Sequence, residues 1–202
     1  MPRPTFHPLS RTETRALTSA TRQEIVDAIT SAGPCTVARL AQLLGRRPDG
    51  LYFHVRALER VGLVRSDSES GQGRRAAAVY RLPGPAVKLD YQSTPRKDLC
   101  RVVRHALKLS LREFERECLS GRDPGRGASR HLWGGRLMGW VDASQLARVN
   151  TLLEELHAVL RAGRPGPGRK AVSLGFLLAP SGLGERVRGT SKSIRTKERG
   201  HS

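Results

Sequence analysis

From Arg46 to Arg60 the chain reads RRPDGLYFHVRALER: Arg46, Arg47, Arg56 and Arg60, two adjacent rings and the carboxylate of Asp49. A guanidinium presents a planar fork of N–H donors that matches a phosphate or the edge of guanine. A ring beside it can pack on an apolar group such as a thymine methyl. This is the chemistry of recognising a polyanion rather than of breaking bonds. Direction decides whether the rings take part. At about 100° per residue around a helix, Leu51, Val55, Leu58 and Gly62 share one stripe, while Asp49, Phe53, Arg56 and Arg60 lie opposite. Tyr52 falls on one flank and His54 on the other, nearer the apolar stripe. Phe53 is therefore expected to point outward, although aromatics make up only 4% of the chain. On a helix entering a major groove, Phe53 would meet base edges, with Arg56 and Arg60 reaching guanine or phosphate. The competing reading packs Phe53 beneath another element or a partner. His54 reads as a packed, hydrogen-bonded histidine rather than a metal ligand.

Positioning that helix requires a frame, and residues 16–82 supply one. SATRQEIVDAIT has Ile25, Val26 and Ile29 at helical spacing, with Ser19 as N-cap and Gly33-Pro34 as stop. Thr36 caps VARLAQLL, whose stripe is Val37, Leu40 and Leu44, and Gly45 ends it. Pro48 opens the third helix in its first turn, and Gly62 closes it. LVRS (63–66) and AAVYRL (77–82) read as two strands joined by a glycine-bearing turn. Three helices followed by a β-hairpin form the winged helix-turn-helix pattern. In that frame Arg39 and Gln42 on the second helix, with Arg46 and Arg47 before the third, are candidate phosphate contacts. At the wing tip, Gly71 and Gly73 permit a tight turn, and Arg74 and Arg75 are placed for phosphate or a minor groove.

YFHVRALERVGLV resembles the recognition-helix signature of ArsR-type (arsenic-repressor-like) winged-helix regulators. His54, Val55, Leu58, Gly62, Leu63 and Val64 match in place, and Tyr80 with Leu82 matches the Tyr-x-Leu that closes the wing. The resemblance covers 16–84. It implies a dimeric transcription factor, often a repressor. The metal-sensing members carry Cys-x-Cys at the second helix, whereas this chain has Cys35 alone just before it. No metal or other cofactor is expected.

Composition sets the outer bounds. The chain has 202 residues, 36 Lys+Arg against 18 Asp+Glu, and a formal net charge of +18. The excess is mostly arginine and favours a nucleic-acid partner, although the codon bias of a GC-rich genome accounts for a share of it. Cys35, Cys100 and Cys118 make no disulfide framework. No apolar run is long enough to span a membrane, and the N-terminus lacks a secretory signal, so a cytoplasmic, nucleoid-associated protein is expected. There is no nucleophile elbow, phosphate loop, paired carboxylate or HExxH, so no catalytic residue is assigned and no enzyme is expected.

The expected fold class is mainly α with small β elements: a winged helix-turn-helix followed by a helical dimerisation region with short strands. Residues 1–14 read as a disordered arm, 15–84 as the DNA-binding domain, and 85–96 as a linker. Residues 97–180 read as a dimerisation and effector region, and 181–202 as a basic disordered tail. Two helices carry the fourth of these regions. One stripe is Leu99, Val103, Leu107, Leu111, Phe114 and Cys118; the other is Leu146, Val149, Leu153, Leu156 and Leu160, after an Asp142/Gln145 capping box. These stripes fit a core between the two helices, a zipper across a homodimer, or both. RLMGWV (136–141) and AVSLGFLLAP (171–180) read as strands flanking the second helix. Trp133, Trp140, Met138 and Phe176 are candidates to line a small apolar effector pocket, with core packing the stronger alternative. The leading function is a dimeric, sequence-specific regulator that binds double-stranded DNA. The alternative is an RNA-binding or ribosome-associated basic protein using the same fold.

Overall fold

The computed structural model describes residues 7–67, 77–84 and 87–181. It is mainly helical: α1 (Arg11–Ala16), α2 (Ala20–Ala32), α3 (Val37–Leu44), α4 (Asp49–Arg60), α5 (Arg96–Leu119) and α6 (Ala143–Ala162). The strands are short. β1 (His7–Pro8) pairs in parallel with β5 (Val87–Lys88). β4 (Val79–Arg81) runs antiparallel between β2 (Cys35–Thr36) and β3 (Arg65–Asp67).

The three central helices follow the sequence patterns. Ile25, Val26 and Ile29 of α2 are buried, as are Val37 and Leu40 of α3 and Leu51, Val55 and Leu58 of α4. Thr36 caps α3 by accepting from the Arg39 backbone N–H at 3.2 Å. Gly45 ends it in the left-handed region, at φ 61° and ψ 38°. Ser19 precedes α2 but makes no side-chain cap hydrogen bond. Leu63 and Val64, read as the start of a strand, instead plug the core just ahead of β3. Tyr80 and Leu82 close the same core from the returning strand.

The disordered arm expected over 1–14 is corrected at residues 7–14. Ser10 and Glu13 form a capping box that starts α1, with the Ser10 N–H donating to Glu13 Oε2 at 2.7 Å. His7 Nε2 meets Glu13 Oε1 at 2.7 Å. Leu9, Thr14, Ala16 and Leu17 are buried, so this segment seals the core. Proline content masked the signal, because Pro8 sits in a strand rather than in a coil. The linker expected over 85–96 is likewise structured from residue 87. Val87–Lys88 forms β5, Val87 and Leu89 pack against the core, and Thr94 is buried.

The long helix joins the domain through a residue outside its expected stripe. Val102 is the one buried residue of α5 among those described. Gln23 Nε2 donates to the Leu17 carbonyl at 2.8 Å and the Val102 carbonyl at 2.9 Å. That buried amide ties α5 to the corner between α1 and α2. Past Val102 the described chain buries no residue. The Asp142/Gln145 capping box forms as expected, but α6 buries nothing. The expected core between α5 and α6 is therefore absent from the single chain. The expected flanking strands do not form either: 136–141 and 171–180 are extended but carry no ladder.

Candidate nucleic-acid interface

The α3–turn–α4 unit sets the candidate surface. The Leu51–Val55–Leu58 stripe pins α4 to the core, which forces the opposite face outward. Phe53 is 71% exposed and Tyr52 48%. Asp49, Arg56 and Arg60 are exposed beside them. Phe53 meets His54 edge-to-face, with ring centroids 5.5 Å apart and planes at 76°. The outward reading of Phe53 thus agrees with its placement.

The arginines divide into two groups. Arg47, Arg56 and Arg60 make no side-chain hydrogen bond or ion pair among the described residues. Arg65, at the start of β3, shares this state and was missed by the sequence reading; its position beside the C-terminal end of α4 was the available signal. Others are engaged. Arg39 Nη1 donates to Gln42 Oε1 at 3.2 Å. Arg46 Nη2 donates to Glu24 Oε2 at 2.5 Å. Glu24 Oε1 accepts from Arg112 Nη2 at 2.5 Å, which raises the Arg112 pKa above its ordinary value. One half-buried carboxylate therefore links the turn before α4 to α5. Arg46, read as a candidate phosphate contact, thus shares its guanidinium with Glu24 within the chain. The wing-tip candidates Arg74 and Arg75, with Gly71 and Gly73, lie outside the described residues. The described base of the hairpin is braced: Arg81 pairs with Asp67 across β3 and β4, and Ser66 Oγ donates to Glu59 Oε1 of α4 at 2.5 Å.

His54 is packed but not hydrogen-bonded at Nδ1, which is buried without a partner. The expectation of a hydrogen-bonded histidine is corrected there. Burial, with Arg22 and Arg46 nearby, pushes its pKa below the ordinary value, so the ring is neutral at neutral pH. Cys35 is also buried, and its Sγ donates to the Gly33 carbonyl at 3.1 Å. Burial raises its pKa, against the smaller opposing effect of Arg39, and holds it as a thiol. Among the described residues no group of three or more His, Cys, Asp or Glu is placed to hold a metal.

The C-terminal candidates are only partly covered. Leu99, Val103, Leu107 and Phe114 of α5 are half-buried and Leu111 is exposed. In α6, Val149 and Leu153 are half-buried, while Leu146, Leu156 and Leu160 are exposed. Trp133, Met138, Trp140 and Phe176 are all exposed, so they form neither a core nor a closed pocket within one chain. Arg130 stacks over Trp133 at 4.2 Å from the ring centroid.

A helix-turn-helix domain family matches residues 17–67, which span α2 to β3. No curated protein matches the sequence. Among solved structures, a MarR/EmrR family transcriptional regulator from Acinetobacter sp. ADP1 aligns over 70% of this chain and 75% of its own, at 15% identity and TM-score 0.28. The disulfide-formed AbfR aligns over 75% and 78%, at 10% identity and TM-score 0.31. RV1404 from Mycobacterium tuberculosis aligns over 73% and 82%, at 15% identity and TM-score 0.29. Superpositions this loose carry no argument about the present chain. What the match supports is a helix-turn-helix domain over residues 17–67, and α4, exposed and arginine-bearing, is its last helix. No helix among the described residues is long and apolar enough to cross a membrane.

Proposed function

We propose that this protein is a winged, ArsR-like repressor that binds double-stranded DNA as a homodimer in the cytoplasm. Its α4 enters the major groove. The observation that carries this is the outer face of α4, where exposed Phe53 and Tyr52 stand among the unpaired Arg47, Arg56 and Arg60. Phe53 packs on thymine methyls, and Arg56 and Arg60 fork onto guanine or phosphate. Asp49 and Tyr52 complete the reading face. Arg39, Gln42 and Arg47 hold the backbone, and Arg74 and Arg75 of the wing add phosphate or minor-groove contacts. The reading includes no catalytic step and no metal. The half-covered stripes of α5 and α6 contribute to the dimer.

The test is a titration of full-length variants against a selected genomic fragment and a random duplex at two salt concentrations. Arg56→Ala should cost about 1–3 kcal/mol on the selected site and much less on the random one, as loss of a base contact does. Arg74→Ala should weaken both equally and flatten the salt slope by about one. Equal affinity for every duplex, with tighter binding to single-stranded RNA, would favour the RNA-binding reading instead.

A further inference from the structure

Two stretches of this protein are extended and have no strand partner. Across 132–141 and 170–180 no backbone N–H or carbonyl makes a backbone hydrogen bond among the described residues. Both are rich in large apolar side chains held in water: Leu137 is 99% exposed, Trp140 81% and Leu177 67%. Extended, apolar and unpaired is the description of an open sheet edge, which proteins otherwise cover or blunt with charge. The second stretch contains no charged residue between Ala171 and Pro180. It is nevertheless seated. Ser173 Oγ lies 3.3 Å from Ser110 Oγ of α5, and the Phe176 ring lies 5.4 Å from the His157 ring of α6. A Cβ added at Gly175 would stand 2.7 Å from Ser110 Oγ, so the backbone runs close along α5 there. The stretch is thus held by its faces against both helices while its hydrogen-bonding edges stay open.

We propose that the two stretches take their strand partners from a second copy of this chain. The dimer is then built by backbone ladders between copies, not by a helix zipper alone. The proposal deepens the dimer included under Proposed function and rests on it. Two observations favour a second copy over another protein. The missing partner must be an extended apolar strand, and this chain supplies two of them, each without a mate. The need is permanent, because the described chain past Val102 buries no residue of its own. A two-fold axis would satisfy both copies with one set of contacts.

The experiment uses the full-length protein. Sedimentation compares wild type with Leu174→Pro and Leu177→Pro, each beside its alanine control. Positions 174 and 177 send their N–H groups to opposite edges, so the pair samples both. Neither N–H bonds to another described residue, so proline removes no hydrogen bond seen within the described chain. At least one proline variant should weaken dimerisation about tenfold more than its alanine control, since both copies lose a ladder bond. Hydrogen exchange provides the second readout: amides in 171–178 should be protected in the wild-type dimer although one chain gives them no partner. If wild type is monomeric at micromolar concentration, the dimer reading fails and this inference with it. If wild type is a dimer but those amides exchange freely, or proline acts no worse than alanine, the strand pairing is overturned and the dimer stands on its helices.

Discussion

Phe53 and Leu58 stand five positions apart on one helix and carry opposite roles. Leu58 is 0% exposed and Phe53 71%. Leu58→Ala should lower stability by about 2–5 kcal/mol, because it empties a packed site. Phe53→Ala should leave the melting temperature nearly unchanged while weakening specific binding. Thermal melts of the two variants, side by side, check this; equal destabilisation would mean that the ring packs in solution. Glu13 makes a second residue-scale case. Burial opposes its ionisation, but the Ser10 hydrogen bonds and His7 outweigh burial and hold its pKa below the ordinary 4.5. A depressed folded-state value means that the carboxylate stabilises the fold above the unfolded pKa. That contribution is lost as pH falls through the folded value. Glu13→Gln should therefore cost about 1 kcal/mol at pH 7, as loss of a capping interaction does. The gap from wild type should close in melts taken well below pH 4.5.

At the scale of elements, the turn between α3 and α4 fixes how the reading helix is presented. Gly45 adopts φ 61° there, and nothing lies within 4 Å of where its Cβ would be. Gly45→Ala therefore meets no clash, and its cost is conformational only, about 1–2 kcal/mol. A chemical-denaturation series should show that loss without a change in slope. Just beyond the turn, the shared Glu24 carboxylate holds Arg46 of this segment and Arg112 of α5. Glu24→Gln removes the counter-charge from both. Arg46 is then free to reach phosphate, and the salt dependence of binding to any duplex should steepen by up to about one counterion. An unchanged slope would mean that Arg46 stays away from the backbone of DNA.

The whole molecule divides in the way its parts are stabilised. Up to Val102 a continuous apolar core runs through α1 to α4, the hairpin and the start of α5. Beyond it, α6 and the two extended stretches expose their apolar side chains. A dimer joined through that second half presents two copies of α4. Its operator should then be a palindrome with half-sites about 34–36 Å apart, one turn of DNA or a multiple of it. Selection of bound genomic fragments followed by footprinting measures the spacing directly. A single protected half-site would show that one copy suffices for binding.

The helix-turn-helix was legible in the sequence because its signals are local. Apolar residues at 3–4 spacing, Thr36 as a cap and Gly45 and Gly62 as stops define α3 and α4 without reference to anything distant. The same periodicity turned Phe53 outward, since a helix with one buried stripe has only one other side. What the sequence could not carry depended on contacts between remote residues. Gln23 reaches Val102 across 79 positions, and Arg112 reaches Glu24 across 88. No local pattern marks either pair. The ordering of residues 7–8 was hidden for the same reason, because β1 exists only through its parallel partner β5, whereas the Ser10/Glu13 capping box that starts α1 is a local signal overlooked among the prolines. The strands expected around α6 show the limit most plainly: a strand needs a neighbour to bond with, and alternation in the sequence specifies the strand but not the chain that supplies its partner.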